Sequence, residues 1–329
     1  MRLQTPQKRF TLTVLVGLIL LLLFAVLSLR LGAVPTPFSQ ILHELQTGEG
    51  ITYKYRLPRL LIALFVGINM ALSGTVLQNI TRNPLAAPDI IGVSAGGGLA
   101  SVIMLLTVQN YNPLLLPFVA FAGAIIAGVI VYLLSYRNGG IKPDRLALCG
   151  VAVSAGVQAI ITLLIVKYSL NAAQALVWLK GSLYARSWLH VRMIWPWTVG
   201  GGILAILAFR QLNLLLLQEE TVRGLGLRIE RTRLLLLAVA IGLAGSSVAV
   251  AGTIGFIGLV IPHAARLLVG SDARLLLPTS ALLGALLVTL ADTVGRIVMP
   301  PIEIPAGIIT ALLGAPYFIY LLVRRKTSM

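Results

Sequence analysis

The sequence predicts an all-α membrane protein of about ten transmembrane helices, and three observations carry that expectation. Hydrophobic residues make up 58% of the 329 residues and charged residues only 11%. A soluble domain carries about 25% charged residues, so this chain has too little polar surface to cover a water-facing globule. The apolar residues fall in continuous, Leu-rich runs, without the alternation of an outer-membrane barrel. The mean hydropathy of +0.95 also excludes a disordered chain, which needs low hydrophobicity.

The first run follows Lys8-Arg9 and extends uncharged over 10–29, about the length that crosses a bilayer as a helix. Leu31-Gly32-Ala33 is a poor cleavage pattern, so the run reads as an uncleaved first span. Further apolar stretches lie at 57–80, 93–108, 114–136, 146–166, 190–209, 234–252, 254–269, 275–298 and 306–323. Those at 93–108 and 254–269 are short for a span. An even number of spans puts both termini on one side. With the N-terminus inside, 17 Lys and Arg fall on cytoplasmic segments and nine outside, a bias that predicts cytoplasmic N- and C-termini. The same bias accounts for the net charge of +16 without nucleic acid, since basic loops lie against anionic lipid. Cys149 is alone, which leaves no intrachain disulfide and no Cys-based metal site.

The most polar segment, 210–233, carries five Arg and three Glu between the sixth and seventh spans. It is too short for a catalytic domain. Glu at the start of a short helix and Arg later fit the helix dipole, and Gly224 or Gly226 can end it. Two short helices joined by a turn are expected there, a shape able to hold a soluble partner. The chain thus reads as one transmembrane domain over 1–329.

Ala71-Leu72-Ser73-Gly74-Thr75-Val76 resembles Ala249-Val250-Ala251-Gly252-Thr253-Ile254, and the same offset relates Pro84 to Pro262. The copies fall on spans two and seven, which cross in opposite directions, as in the inverted-topology repeats of transporters.

Chemistry-bearing motifs are scarce. There is no G-x-x-x-x-G-K-[ST] phosphate loop. The three His, at 43, 190 and 263, are far apart and suggest no metal set. Asp292 is the one carboxylate expected inside a span. Such a charge is costly, and two readings account for it: a proton or cation site, or an ion pair with Arg296 one helical turn on. The spacing favours the pair.

Three ordered blocks resemble the permease subunits of iron-siderophore and vitamin B12 ABC importers. The first runs from Arg56-Leu57-Pro58-Arg59 through Arg82-Asn83-Pro84-Leu85-Ala86-Ala87-Pro88-Asp89 to Gly98. The second is Gly255-Phe256-Ile257-Gly258-Leu259-Val260-Ile261-Pro262-His263 with Arg266. The third is Glu303-Ile304-Pro305-Ala306-Gly307 followed by Leu313-Gly314-Ala315-Pro316. The run from Arg296 to Glu303 resembles the ferric-dicitrate permeases in particular. The resemblance implies ten helices per subunit in a bacterial cytoplasmic membrane and a pore of two permease subunits, alike or not. It also implies two cytoplasmic ATP-binding subunits and an extracytoplasmic binding protein. ATP would act on the partner, with no cofactor and no catalysis in this chain. The cargo would be a ferric siderophore, ferric citrate among them, or vitamin B12 or haem in the same kind of machine. A proton-coupled symporter using Asp292 is the rival from another class.

Residue by residue, the resemblance implies that Arg56, Arg59 and Arg296 dock acidic groups of the binding protein at the outer face. Asn83 and Leu85 would form a cytoplasmic gate. Glu219, Glu220, Val222, Arg223, Gly224, Leu225 and Gly226 would couple to the ATPase, with Val222 and Leu225 as the apolar contacts.

Overall fold

The computed structural model describes residues 6–32, 35–137, 140–224 and 228–325. Each of the ten apolar stretches is a helix. They are α1 (Pro6–Arg30), α3 (Leu57–Thr81), α4 (Val93–Thr107), α5 (Leu116–Ser135), α6 (Pro143–Lys167), α8 (Trp188–Leu207), α11 (Ile229–Ala251), α12 (Ile257–Val269), α13 (Ala273–Ile297) and α14 (Ala306–Arg325). Four shorter helices complete the described set: α2 (Phe38–Thr47), α7 (Ala172–Leu179), α9 (Phe209–Leu215) and α10 (Glu219–Gly224). The expected helix–turn–helix between spans six and seven is therefore present as α9 and α10. A π-helical turn, Thr52–Arg56, runs directly into α3. The helices α2 and α7 have no counterpart in the sequence reading: polar residues in α2 mask the one-sided packing that buries Ile41 and Glu44, and α7, which buries Ala175 and Trp178, is only eight residues long.

Six of the helices are long and apolar enough to cross a bilayer, and a seventh crossing arises if α8 and α9, bent by 57°, count together. The helices α4 and α12 and the apolar part of α14 are shorter. For α12 the reason is visible. Its second residue, Gly258, packs against Gly74 of α3, seven residues before the end of α3, or about 10 Å into the layer at 1.5 Å per residue. The preceding segment, 252–256, is not helical and turns at Gly252 and Phe256, with φ of 74° and 69°. Non-helical backbone at such depth is tolerated where it lines a cavity instead of lipid.

The helix α3 is the axis of the molecule, buried along most of its length and packed by α8, α11, α12 and α13. Two glycine pairs set its distance from its neighbours. A methyl on Gly67 would overlap the carbonyl of Gly284 in α13, and one on Gly74 would overlap that of Gly258 in α12. In a bilayer, where apolar surface gains nothing by leaving lipid, such close backbone approach is a main source of helix association. Polar groups add to it: Asn69 Nδ2 donates to Ser246 Oγ at 3.2 Å, and Ser73 Oγ to the Ala240 carbonyl at 2.7 Å. The repeat-matched segments thus lie on adjacent helices, α3 and α11, but the matched glycines differ in place: Gly74 is mid-helix and Gly252 caps α11.

These contacts predict a sharp contrast between two glycines. Gly67→Ala should destabilise the protein by about 1–3 kcal/mol, because α3 and α13 must move apart. A methyl on Gly156 meets nothing within 4 Å, so Gly156→Ala should leave the melting temperature unchanged or raised. Thermal unfolding in detergent reads both.

Candidate functional site

A cleft of about 1010 Å³ opens along one side of α4, beside α6, α7, α14 and the 253–255 segment. Its walls are built from small residues (Ala95, Gly98, Ala155, Gly307), with hydroxyl and amide groups at Ser94, Ser154, Gln158, Thr162 and Thr253. Asp89 and Lys180 are the charged residues on its walls. Ser94 Oγ donates to the Asp89 carboxylate, and Ser154 Oγ to the Asp89 carbonyl at 3.3 Å. Such a surface offers many weak contacts and no chelating set. Among the described residues no group of three His, Cys, Asp or Glu could hold a metal ion. Sequence reasoning missed this cleft, although one signal was there: Ser154, Gln158 and Thr162 recur every four residues on the otherwise apolar α6, a single polar stripe.

At the N-terminal end of α3 the three arginines expected to dock a partner are largely buried. Arg56 is buried and donates from Nη1 to the carbonyls of Leu29 (2.7 Å) and Arg30 (3.0 Å), so it caps the last turn of α1, whose carbonyls lack helical partners. Arg296 is also buried; its Nη2 donates to Ser28 Oγ at 2.6 Å and its Nη1 to the Leu31 carbonyl at 3.3 Å. Arg59 bridges two carboxylates, Asp292 through Nη2 and Glu303 through Nη1, each at 2.8 Å. Arg296 Nε lies 3.3 Å from Asp292 as well. The expected Asp292–Arg296 pair therefore exists, but Arg59 is the nearer partner. Held between two guanidiniums, Asp292 is an ion-pair hub and not the lone acid a proton carrier needs. Glu303 has 30% of its side chain exposed against 2% for Asp292, so only the Arg59–Glu303 edge of the cluster meets solvent.

At the C-terminal end of α3, Arg82 takes the left-handed conformation (φ 51°) and closes the helix. Asn83 Oδ1 accepts from the Leu85 N–H at 2.9 Å, an Asx turn that leaves Leu85 partly exposed. The side chain of Arg82 reaches α9: Nε donates to the Leu215 carbonyl at 2.7 Å and Nη2 to that of Leu217. The expected gate turn is thus tied to the polar loop, a link no local pattern announces. Arg266 adds a second clamp, donating to Gln78 Oε1 at 3.2 Å.

The polar loop itself is anchored twice. Asn213 of α9 donates to Asp272 Oδ1 at 2.7 Å and accepts from the Ala273 N–H at 2.8 Å. The hydrogen bond from Asn213, then that from the Arg274 backbone, hold the Asp272 carboxyl below the usual range. Arg233, fully buried at the start of α11, pairs with Glu219 at 2.7 Å and donates to the Ile141 carbonyl at 3.1 Å. This changes the expected contact surface. Drawing Glu219 inward turns Val222, three residues on and on the same helix face, into the core, where it is fully buried with Leu212 and Leu215. Val222 is therefore not a surface contact. Among the described residues of 216–224 the exposed ones are Leu216, Leu217, Gln218, Glu220, Thr221 and Gly224. The Arg223 side chain, Leu225 and Gly226 lie outside the described residues.

The Arg59–Asp292–Arg296–Glu303 cluster predicts unequal costs. Asp292→Asn leaves two buried guanidiniums without their carboxylate and should cost about 3–5 kcal/mol. Glu303→Gln removes a partly exposed partner and should cost about 1 kcal/mol or less. Melting of the two variants side by side checks this, and equal losses would contradict the arrangement.

Comparison with known proteins matches this architecture over nearly its whole length. Residues 20–324 match the model of the FecCD transport family. The Fe(3+)-citrate import system permease protein YfmE of Bacillus subtilis is 42% identical over 96% of both chains. The cobalamin import system permease protein BtuC of Halobacterium salinarum is also 42% identical, covering 85% of this chain and 75% of its own. A solved structure described as an inward-facing conformation of a metal-chelate type ABC transporter superposes with a TM-score of 0.82, at 32% identity, over 97% of this chain and 100% of that one. The protein is a multi-pass membrane permease and belongs to the FecCD transport family.

Proposed function

We propose that this chain is one half of the pore of an ABC importer that carries ferric chelates, ferric citrate foremost, into the cytoplasm of a bacterium. The cleft beside α4 carries this reading. It is open on one side, and the helices that flank it expose apolar residues: Leu163 and Val166 on α6, Leu312 on α14. A second permease subunit, alike or paralogous, laid against α6 and α14 would cover these residues and close two half-clefts into one path. The wall chemistry fits a large chelate that must leave as readily as it enters. The iron is cargo, carried inside its chelate, and selectivity falls to a separate binding protein. The Fe(3+)-citrate relative, aligned over 96% of both chains, supports ferric citrate over cobalamin.

ATP is hydrolysed on two cytoplasmic partner subunits that grip α9 and α10, with Leu216, Leu217, Glu220 and Thr221 as the contact surface. The basic outer rim around Arg59 draws the acidic face of the binding protein, while Arg56 and Arg296 hold the rim in place. The N- and C-termini face the cytoplasm, a reading supported by the distribution of Lys and Arg.

Reconstitution into sealed vesicles with the ATPase and binding protein tests the reading. Uptake of ⁵⁵Fe-citrate should require ATP, and radiolabelled cobalamin should not compete. Uptake driven by a proton gradient without ATP would overturn it. Leu216→Asp with Leu217→Asp should leave the permease inserted but strip it of the ATPase on co-purification. Retention of the ATPase in that variant would move the contact elsewhere.

A further inference from the structure

The helices α5 and α8 both pack on α11 but make few contacts with each other. The gap between them is an apolar groove. It begins beside α7 as a cavity of about 600 Å³ and continues past Pro117 and Met193 into one of about 90 Å³. Leu189, Met193 and Trp197, four residues apart on α8, line one wall, a run of about 12 Å at 1.5 Å per residue. Ser246, Ala249 and Val250 of α11 form the floor of the narrow part. Phe121 meets Trp197 at the far end, with ring centroids 4.8 Å apart. Phe118 on the rim is 58% exposed, so the groove opens sideways, where a membrane protein meets lipid. Its wide end, by contrast, is polar. Arg186 and His190 lie on its wall. Arg186 has no ion pair or hydrogen bond among the described residues, and its Nε is buried without an acceptor. Its close contact is the face of Trp178, 4.9 Å from the ring centroid. His190 Nδ1 accepts from the Ser187 N–H at 3.3 Å, which leaves the proton of the neutral ring on Nε2 as a second donor. Tyr111, Trp178 and Tyr184 gather around this end, as aromatic side chains do at the level of lipid headgroups.

We propose that the groove holds one phospholipid, its phosphate on Arg186 and one acyl chain between α5 and α8. A desolvated guanidinium is costly unless an anion pairs with it, and its planar fork suits a phosphate. The nearby carboxylates cannot serve, since Asp292 and Glu303 are held by Arg59 and Arg296. The apolar slot below the cation then selects the source of the phosphate. A soluble anion would leave the slot unfilled, whereas a lipid fills both parts at once. The bound chain would supply the packing that α5 and α8 do not give each other. The site follows from the groove and does not depend on the cargo or on the direction of transport.

Native mass spectrometry of the full-length protein, delipidated in detergent, tests this. Palmitoyl-oleoyl phosphatidylglycerol is titrated in, beside the diacylglycerol with the same two chains and no phosphate. Phosphatidylglycerol should bind saturably at one copy per chain, and the diacylglycerol about tenfold more weakly or worse. Arg186→Gln should weaken the phospholipid about tenfold or more, with Arg186→Lys in between. Gel filtration and thermal melting confirm that the variants are folded. Phosphatidylglycerol carrying a photoreactive diazirine in one chain then locates the site. Its label should fall on the peptides containing 117–121 and 189–197, and folded Arg186→Gln should lose it. Label confined to other helices would overturn the proposal. So would equal binding of the diacylglycerol, the same affinity in folded Arg186→Gln, or displacement of the lipid by an equal concentration of inorganic phosphate. Vesicle uptake is measured independently, so any of those results would leave the importer reading standing.

Discussion

The ion pair between Arg59 and Asp292 is the contact on which the N-terminal end of α3 and its neighbours depend. Two charges at the end of the central helix bundle are costly to bury, and their mutual attraction offsets that cost only when the remaining hydrogen bonds are met. Here they are: Arg59 reaches Glu303 as well, and Arg296 reaches both Asp292 and Ser28. One carboxylate thus joins α3 to α13, and Arg296 extends the network to α1. With Arg56 closing the last turn of α1, the neighbouring ends of three helices are fixed to one another by charge-assisted bonds.

That fixed end gives α3 its role. Between its ends it is gripped by backbone-to-backbone contacts at Gly67 and Gly74, so it moves with α13 and α12 or not at all. At its C-terminal end Arg82 holds the carbonyls of Leu215 and Leu217. The polar loop therefore meets α3 through these two hydrogen bonds as well as through the packing of α9 on α3 and α13. The cleft lies on the opposite flank, against α4, α6 and α14, helices that meet α3 little or not at all. The bundle is braced at α3 and open along α6.

Much of the helix layout was legible because it follows from composition and period: every apolar stretch became a helix, and the dipole and glycine signals placed α9 and α10. The side-chain roles were less legible because tertiary partners set them. Nothing within 219–224 says which face turns inward. That is decided by Arg233 and, through it, by the Ile141 carbonyl 92 residues away. Arg296 looked like an exposed end-of-helix cation until Ser28, 268 residues earlier, supplied its acceptor. The 178-residue offset brought two segments onto neighbouring helices but misled at residue level, since Gly74 serves close packing and Gly252 serves a turn. The polar stripe on α6 was readable in principle and hidden only by the apolar residues around it.

The central claim is that the C-terminal turn of α3 receives its motion from the polar loop through Arg82. The most direct test is the ratio of cargo imported to ATP consumed in the reconstituted complex carrying Arg82→Gln. With the hydrogen bonds to Leu215 and Leu217 lost, the complex should still assemble and hydrolyse ATP, while uptake per ATP falls at least tenfold. An unchanged ratio in a fully assembled complex would show that α3 is driven by another route and would contradict the account.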